Sequence, residues 1–282
     1  MMISRSRWGN AVLFIFLAVV AVIMALPLYY AIITALKPMD ELFYYPPRFY
    51  VVRPSLKNFA DLTSVLGTSY VPFMRYVFNS IVITVVATFG HIIFAAMAAY
   101  PLSKNKNLRS RGVIFEIIVL SLMFSGYVLA IPRYLVMNYM GILNTYWALI
   151  LPAMSGTMGL YLLKNFMEQI PDAMIEAARI DGAKEFRILW TIVMPMVKPA
   201  WLTLLLLLVQ SIWNDGGSSS LYIYNESLKA MPVLQTYVAA AGFTRTGAAS
   251  AFSLVMMIPP VATFVISQSN VIETMKSAGL KE

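Results

Sequence analysis

The chain has 282 residues, of which 60% are hydrophobic and only 12% charged, with a mean hydropathy of +0.73. A soluble domain carries about twice that charged fraction, so composition excludes an ordinary soluble protein and points to an integral membrane protein. The net charge of +8 is scattered between apolar runs, which argues for membrane flanks and against a nucleic-acid partner, and the absence of cysteine excludes disulfides and thiolate metal sites.

Arg5 and Arg7 precede the first apolar run, residues 11–36. It is too long for a signal-peptide core and lacks a cleavage site, so it is expected to be an uncleaved first span. A Pro- and Tyr-rich loop follows, and then a second span over 77–100 that contains His91. A third span is expected over 113–131, with Glu116 near one end, and a fourth over 144–163. The fifth, 194–213, has an uninterrupted apolar core only from Ala200. The sixth covers 251–268. Pro27, Pro152, Pro259 and Pro260 predict kinks, which membrane helices tolerate when neighbours satisfy the freed carbonyls. The expected fold is therefore an all-α integral membrane protein of six transmembrane helices, one transmembrane domain over residues 1–282, with no internal repeat.

Loop charge gives the orientation. If the N-terminus is inside, segments 1–10, 101–112, 164–199 and 269–282 hold 13 of the 21 lysines and arginines. The loop "LSKNKNLRSRG" votes most clearly, with four cations and no acid. Both termini and the polar loop 164–199 are expected in the cytoplasm, and loops 37–76 and 214–250 outside.

The spans hold almost no ionisable groups. Carriers coupled to protons or sodium need buried carboxylates or unwound polar sites, and His91 reads as a hydrogen-bonded packing residue rather than a proton relay. A single histidine cannot make a zinc pair, and no GxSxG elbow or GxxxxGK[ST] phosphate loop is present. The chain reads as a transport subunit and not an enzyme, with no cofactor or metal of its own. If transport is active, the energy comes from another polypeptide.

The loop 164–199 carries "IPDAMIEAARIDGAKEFRILWTIVMPMVKP". Pro171 suits a helix's first turn, and Asp172 complements its positive end. Ala173, Ala177 and Ile180 share one face, where small residues allow a partner to approach closely. Glu176 and Arg179 flank that face and can pair with a partner. Gly182 permits a helix end, and Asp181 suits the cap of a second helix over 183–192. The pattern alone leaves open an ordinary amphipathic surface helix.

The longer spacing is more specific. Glu176-Ala177-Ala178, three residues, Gly182, nine residues, then Ile192-Val193-Met194-Pro195 resembles the EAA-loop signature of permease subunits of binding-protein-dependent ABC importers, with Met194 where Leu is usual. "AAYPLSK", "MGILNTYWALILP" and "TALKPMDELFYYPPRF" resemble the carbohydrate branch, of the maltose-type second permease subunit, so the likeness covers nearly the whole chain. It implies a type I importer permease fold and a cytoplasmic helix seated in a cleft of an ATPase. It also implies two such ATPases carrying ATP and Mg, a second and different permease subunit, an extracellular solute-binding protein, and a bacterial or archaeal cytoplasmic membrane. By position, Glu176, Ala177, Ala178, Arg179, Asp181, Gly182, Ile192 and Pro195 form the coupling set. The tail departs from the family, with Gln268-Ser269 where Gln-Arg is usual.

The resemblance further implies that a loop after the fifth span, here Gly216, Gly217, Ser218, Ser219 and Ser220, contacts the binding protein as a flexible polar tip. Asn79, Tyr127, Trp147, Trp213 and Asn214 are candidates for the sugar path, because sugar sites combine aromatic faces with amide hydrogen bonds. The alternatives are a permease for another solute class, an ion-coupled carrier, or a membrane scaffold that recruits a cytosolic partner through the same helix.

Overall fold

A computed structural model describes residues 7–65, 71–105, 108–124, 126, 128–240 and 246–279, and every regular element among them is helical. The chain divides into two compact units, residues 1–73 with 234–257, and 74–233 with 258–282.

In the first unit α1 (Arg7–Leu36) is one continuous helix through Pro27. Its 30 residues span about 45 Å, more than the ~30 Å hydrocarbon core. The polar segment after it folds back on its end. Helices α2 (Met39–Leu42) and α3 (Lys57–Val65) lie here. Buried Asn58 donates from Nδ2 to the carbonyls of Ala35 (2.8 Å) and Lys37 (2.7 Å). The buried Glu41 carboxylate accepts from the backbone N–H groups of Val52 (3.0 Å) and Arg53 (2.9 Å). The Asn58 bonds satisfy carbonyls left free at the C-terminus of α1, and the Glu41 bonds tie the returning segment to α2.

The second unit is built around α4 (Phe73–Lys104), whose 32 residues run unbroken from Phe73. Small residues line its inner face: Ala87, Ala95, Ala96 and Ala99 are buried. They let other helices approach closely, as in membrane helix packing generally. One core joins Ile92, Ala96, Ala99 and Tyr100 to Leu163, Met167, Ile175, Ala178, Ile188 and Leu204.

The third and fourth expected spans are interrupted. Helix α5 (Arg111–Leu122) has 12 residues, about 18 Å, and the described residues between it and α6 (Ala130–Tyr139), namely 123, 124, 126, 128 and 129, are not helical. Helices α7 (Trp147–Met154) and α8 (Thr157–Glu168) are separated at Ser155 and Gly156, where Gly156 is extended (φ −61°, ψ 135°). This break frees the Ala153 carbonyl from its i+4 donor. His91 on α4 supplies another, with Nδ1 at 2.7 Å from that oxygen. A carbonyl only accepts, so Nδ1 carries the proton. The ring lies in a slot floored by glycine: a Cβ on Gly159 would stand 2.2 Å from Nε2, and one on Gly156 2.7 Å from Cε1.

Helices α9 (Asp172–Ile180) and α10 (Glu185–Ile188) follow. A π-helical turn over Leu189–Val193 leads into α11 (Met194–Met196), and α12 (Lys198–Trp213) then departs at 82°. The bend falls at Val197, two residues before Pro199, which has no N–H to continue the ladder. The fifth span is thus bent at its entry. Pro195 lies inside α11, before the bend. Beyond it come α13 (Gly216–Tyr222) and two single turns, Glu226–Leu228 and Met231–Val233. Helix α14 (Leu234–Ala240) belongs to the first unit. Helix α15 (Thr246–Gly279) is continuous through Pro259 and Pro260. Among the described residues, α1, α4 and Thr246–Gln268 of α15 are long and apolar enough to cross a membrane, and the bent segment 185–213 makes a fourth if taken as one span.

Candidate functional site

Helix α9 is short and two-faced. Ile175 and Ala178 are buried in the α4–α8–α12 core, while Ala173, Met174, Glu176, Ala177 and Ile180 are exposed. Burial of Ile175 contributes about 1.5–3 kcal/mol to holding the helix there. The face formed by Ala173, Ala177 and Ile180 therefore points outward, with Ile180 86% exposed. Among the described residues Glu176 has no ion-pair or hydrogen-bond partner.

Both helix ends are sharply defined. Pro171 is the N-cap rather than the first helical residue, and Asp172 opens the helix. At the other end Gly182 has φ +81°, the left-handed region. The Ala183 N–H donates to the Ala178 carbonyl and the Gly182 N–H to the Arg179 carbonyl, both at 3.0 Å. This is a Schellman closure. Asp181 is the C-cap of α9, not the N-cap expected from sequence; Lys184 precedes α10 instead. The second helix is also shorter than 183–192, because the π-turn takes over at Leu189.

Two further expectations change. Ala178 packs inward, so of the Ala177–Ala178 pair only Ala177 faces out. Arg179 is already paired within the chain: Nε lies 2.7 Å from Glu185 Oε1 and Nη2 3.3 Å from Oε2. The Arg179 guanidinium, and then the Tyr100 hydroxyl, hold the Glu185 carboxyl below its ordinary range. Ile192 is partly buried against the same core, and Pro195 is exposed. A cavity of about 740 Å³ opens beside α9, lined by Met97, Tyr100, Glu176, Arg179 and Phe186 among others.

The opposite end of α4 meets the segment after α12. Asn79 is fully buried, donating from Nδ2 to the carbonyls of Ser227 (2.9 Å) and Lys229 (2.8 Å) and accepting from Tyr146 Oη (2.7 Å). Both its amide hydrogens hold this loop, so Asn79 is not available to donate to a sugar. Tyr76 donates to Glu226 (2.7 Å), Ser80 Oγ accepts from the Met231 N–H (2.7 Å), and Asn144 Oδ1 accepts from the N–H groups of Tyr224 and Asn225. Asn144 itself has φ +61°.

The stretch from Gly216 to Ser220 is not a flexible tip. It forms most of α13, capped by Asp215 Oδ1 accepting from the Ser218 N–H at 2.9 Å. Ser219 is fully buried and accepts from the Ala230 N–H at 3.0 Å. A Cβ on Gly216 would press on Pro232 at 3.2 Å. Gly217 and Ser220 remain exposed, and Ser218 is half-buried. Of the other path candidates, Trp213 is buried, Trp147 is half-exposed, and exposed Asn214 donates to the Gln210 carbonyl at 2.8 Å. Tyr127 lies outside the described residues. The structure brings other polar groups together: a cavity of about 340 Å³ is lined by His91, Arg133, Ser211, Asp215 and Ser218. These were missed because each stands alone in an apolar or loop context. Their convergence depends on how α4, α6, α12 and α13 fold.

Residues 91–276 match the model of the family "Binding-protein-dependent transport system inner membrane component". The chain belongs to that family. It is the membrane-integral permease component of an ABC importer, not an enzyme. Protein LplC of Bacillus subtilis (strain 168) is 36% identical over 215 residues, covering 76% of this permease and 70% of LplC. The polygalacturonan/rhamnogalacturonan transport system permease protein YtcP of the same strain is 29% identical, covering 80% and 76%. Its melibiose/raffinose/stachyose import permease protein MelC is 28% identical over 94% of each chain. The permease fold also matches a chain of a bacterial ABC transporter involved in the import of the acidic polysaccharide alginate. The TM-score is 0.78 at 24% identity, over 94% of this chain and 98% of that one.

Proposed function

We propose that this permease imports an oligosaccharide, in a complex with a second, different permease subunit, two cytoplasmic ATPases that carry the ATP and Mg, and an external solute-binding protein. The saccharide class rests on the substrates for which the relatives YtcP and MelC are named. A binding protein is also present in a related alginate importer structure, in complex with alginate pentasaccharide. The chain crosses the membrane six times, two of the crossings being the interrupted pairs α5–α6 and α7–α8. Both termini and the loop containing α9 face the cytoplasm, following the excess of cations in loops 101–112 and 164–199.

One observation carries the coupling role: α9 is anchored on one face, exposes Ala173, Ala177, Ile180 and an unpaired Glu176 on the other, and is closed by Gly182. A rigid, half-anchored helix with a small-residue outer face suits a cleft on an ATPase and converts ATPase closure into tilting of the permease helices. Arg179, Asp181, Ile192 and Pro195 shape this segment from within. At the outer surface, α13 presents Gly217, Ser218 and Ser220 to the binding protein. The sugar path passes the cavity at Arg133 and Asp215, with Trp147, Trp213 and Asn214 as further candidates along it.

Reconstitution with the ATPase pair and the binding protein tests this, using raffinose and trigalacturonate as probes. At least one should stimulate ATP hydrolysis and accumulate in vesicles. Glu176→Arg or Gly182→Trp should uncouple hydrolysis from uptake while the permease stays folded. Normal coupled uptake in both variants would overturn the coupling role, and stimulation by neither saccharide would overturn the substrate class.

A further inference from the structure

Two side chains on the last turns of α4 hold α9 at both of its ends. Lys104, the last residue of α4, is buried although charged, with its side chain 4% exposed. Its Nζ donates to the carbonyls of Glu168 and Ile170 and to Asp172 Oδ1 at 3.0 Å. Glu168 ends α8, and Asp172 begins α9. One turn earlier on the same face of α4, Tyr100 Oη donates to Glu185 Oε2 at 2.6 Å. Glu185 in turn accepts from Arg179, in the last turn of α9. Residues four apart lie above one another on a helix, so one edge of α4 reaches both ends of a nine-residue helix about 13 Å long.

Between these two points Ile175 and Ala178 pack into the core shared with Ala96 and Ala99. Helix α9 therefore cannot slide along α4 or tilt against it without breaking one of the two clasps. The Lys104 clasp opens only at high cost. An ammonium withdrawn from water and stripped of its acceptors is penalised heavily, so it holds in one arrangement or fails altogether.

We propose that Tyr100 and Lys104 are positioning residues for energy coupling: they make α4 and α9 move as one body, so that a push on α9 becomes a tilt of α4. This rests on the reading of α9 as the ATPase-coupled helix. The competing role for Lys104 is a local cap on the carbonyls at the end of α8, a common place for a cation. Such a cap affects folding and assembly but not the ratio of transport to hydrolysis.

The test uses the full complex in vesicles, with uptake of the stimulating saccharide and ATP hydrolysis measured in parallel. Lys104→Met and Tyr100→Phe should assemble and hydrolyse ATP, while saccharide moved per ATP falls about tenfold, within the range of coupling between protein sites. Lys104→Arg should restore most of that ratio. The double variant Tyr100→Phe/Glu185→Gln should be no worse than either single one, because both break the same clasp. An unchanged ratio in assembled Lys104→Met and Tyr100→Phe would overturn the proposal. So would parallel loss of hydrolysis and uptake that Lys104→Arg fails to rescue. If Lys104→Met does not assemble, Tyr100→Phe decides, since it removes only one hydroxyl. If Glu176→Arg uncouples and Tyr100→Phe does not, the clasp alone fails; if neither uncouples, the coupling role of α9 fails with it.

Discussion

Gly182 separates backbone strain from contact with a partner. Its φ of +81° is left-handed, and a Cβ built there meets nothing within 4 Å. Substitution is therefore opposed by conformation alone, at roughly 1–2 kcal/mol for an L residue and less for Asn. The strain falls on the bonds that close α9, those from the N–H groups of Gly182 and Ala183 to the Arg179 and Ala178 carbonyls. Local opening should rise by roughly 5- to 30-fold for Gly182→Ala, and less for Gly182→Asn. Hydrogen exchange at Ala183 in the permease alone reads this directly. Since the space around residue 182 is open, Gly182→Trp should open this closure no more than Gly182→Ala does. With an ATPase docked on α9 as proposed, the two should diverge in the assembled transporter, because only Trp would intrude on that partner. Coupling should survive in the Ala variant and fail in the Trp variant. Equal exchange in Gly182→Ala and the parent would refute the strain argument. Equal coupling in the Ala and Trp variants would place the docking surface elsewhere.

Other sites give shorter tests. Gly159→Ala places a methyl 2.2 Å from His91 Nε2; it should destabilise the solubilised permease by about 1–3 kcal/mol, and His91→Ala should relieve most of that, whereas additive thermal shifts would show the ring is not locked in the glycine slot. Asn79→Ala removes donors to the Ser227 and Lys229 carbonyls; Ser227 keeps Arg75 Nε at 3.2 Å, so the Lys229 carbonyl is the acceptor that loses its donor, at a cost of about 1–3 kcal/mol where it stays out of water. Protease cutting between residues 223 and 233 should increase while the apparent KM for saccharide holds, and a raised KM with an intact loop would instead make Asn79 a sugar contact. The Glu185 carboxyl is held below the ordinary carboxylate range, first by Arg179 and then by Tyr100. A depressed folded pKa means its contribution is present above the unfolded value and is lost as pH falls through the folded one. The Arg179–Glu185 pair should thus persist through neutral and mildly acid pH and loosen only below the ordinary carboxylate range, read as exchange at the N–H groups around residue 185; loosening at about pH 6 would contradict it.

Sequence conveys local features of this protein better than distant ones. Pro171 and Gly182 mark the ends of α9 because their effects are confined to their own backbone. The long apolar runs mark α1, α4 and α15 because a continuous helix needs only its own hydrogen bonds. Hydropathy counts side chains, however, and a break such as Gly156 inside an apolar run costs it nothing. Arg179 reads as free for a partner because Glu185, six residues on, meets it only after the chain turns at Gly182.

The same reasoning explains the polar residues of α4. Asn79, His91 and Lys104 stand in or beside an apolar run, where a polar side chain without a partner is costly. Each donates to main-chain carbonyls of segments that leave regular helix: Ser227 and Lys229, Ala153, and Glu168 and Ile170 respectively. Irregular backbone survives at membrane depth only where protein satisfies it. A continuous α4 with three donors along it satisfies the α7–α8 break inside the span and pins the loop after α13 and the turn into α9 at its two ends. A transporter needs those irregular segments, because straight, fully bonded helices offer neither a place to bend nor a short helix to be pushed. The polar residues of α4 and the interruptions in its neighbours are therefore one feature, and removal of a donor should loosen the segment opposite it rather than α4 itself.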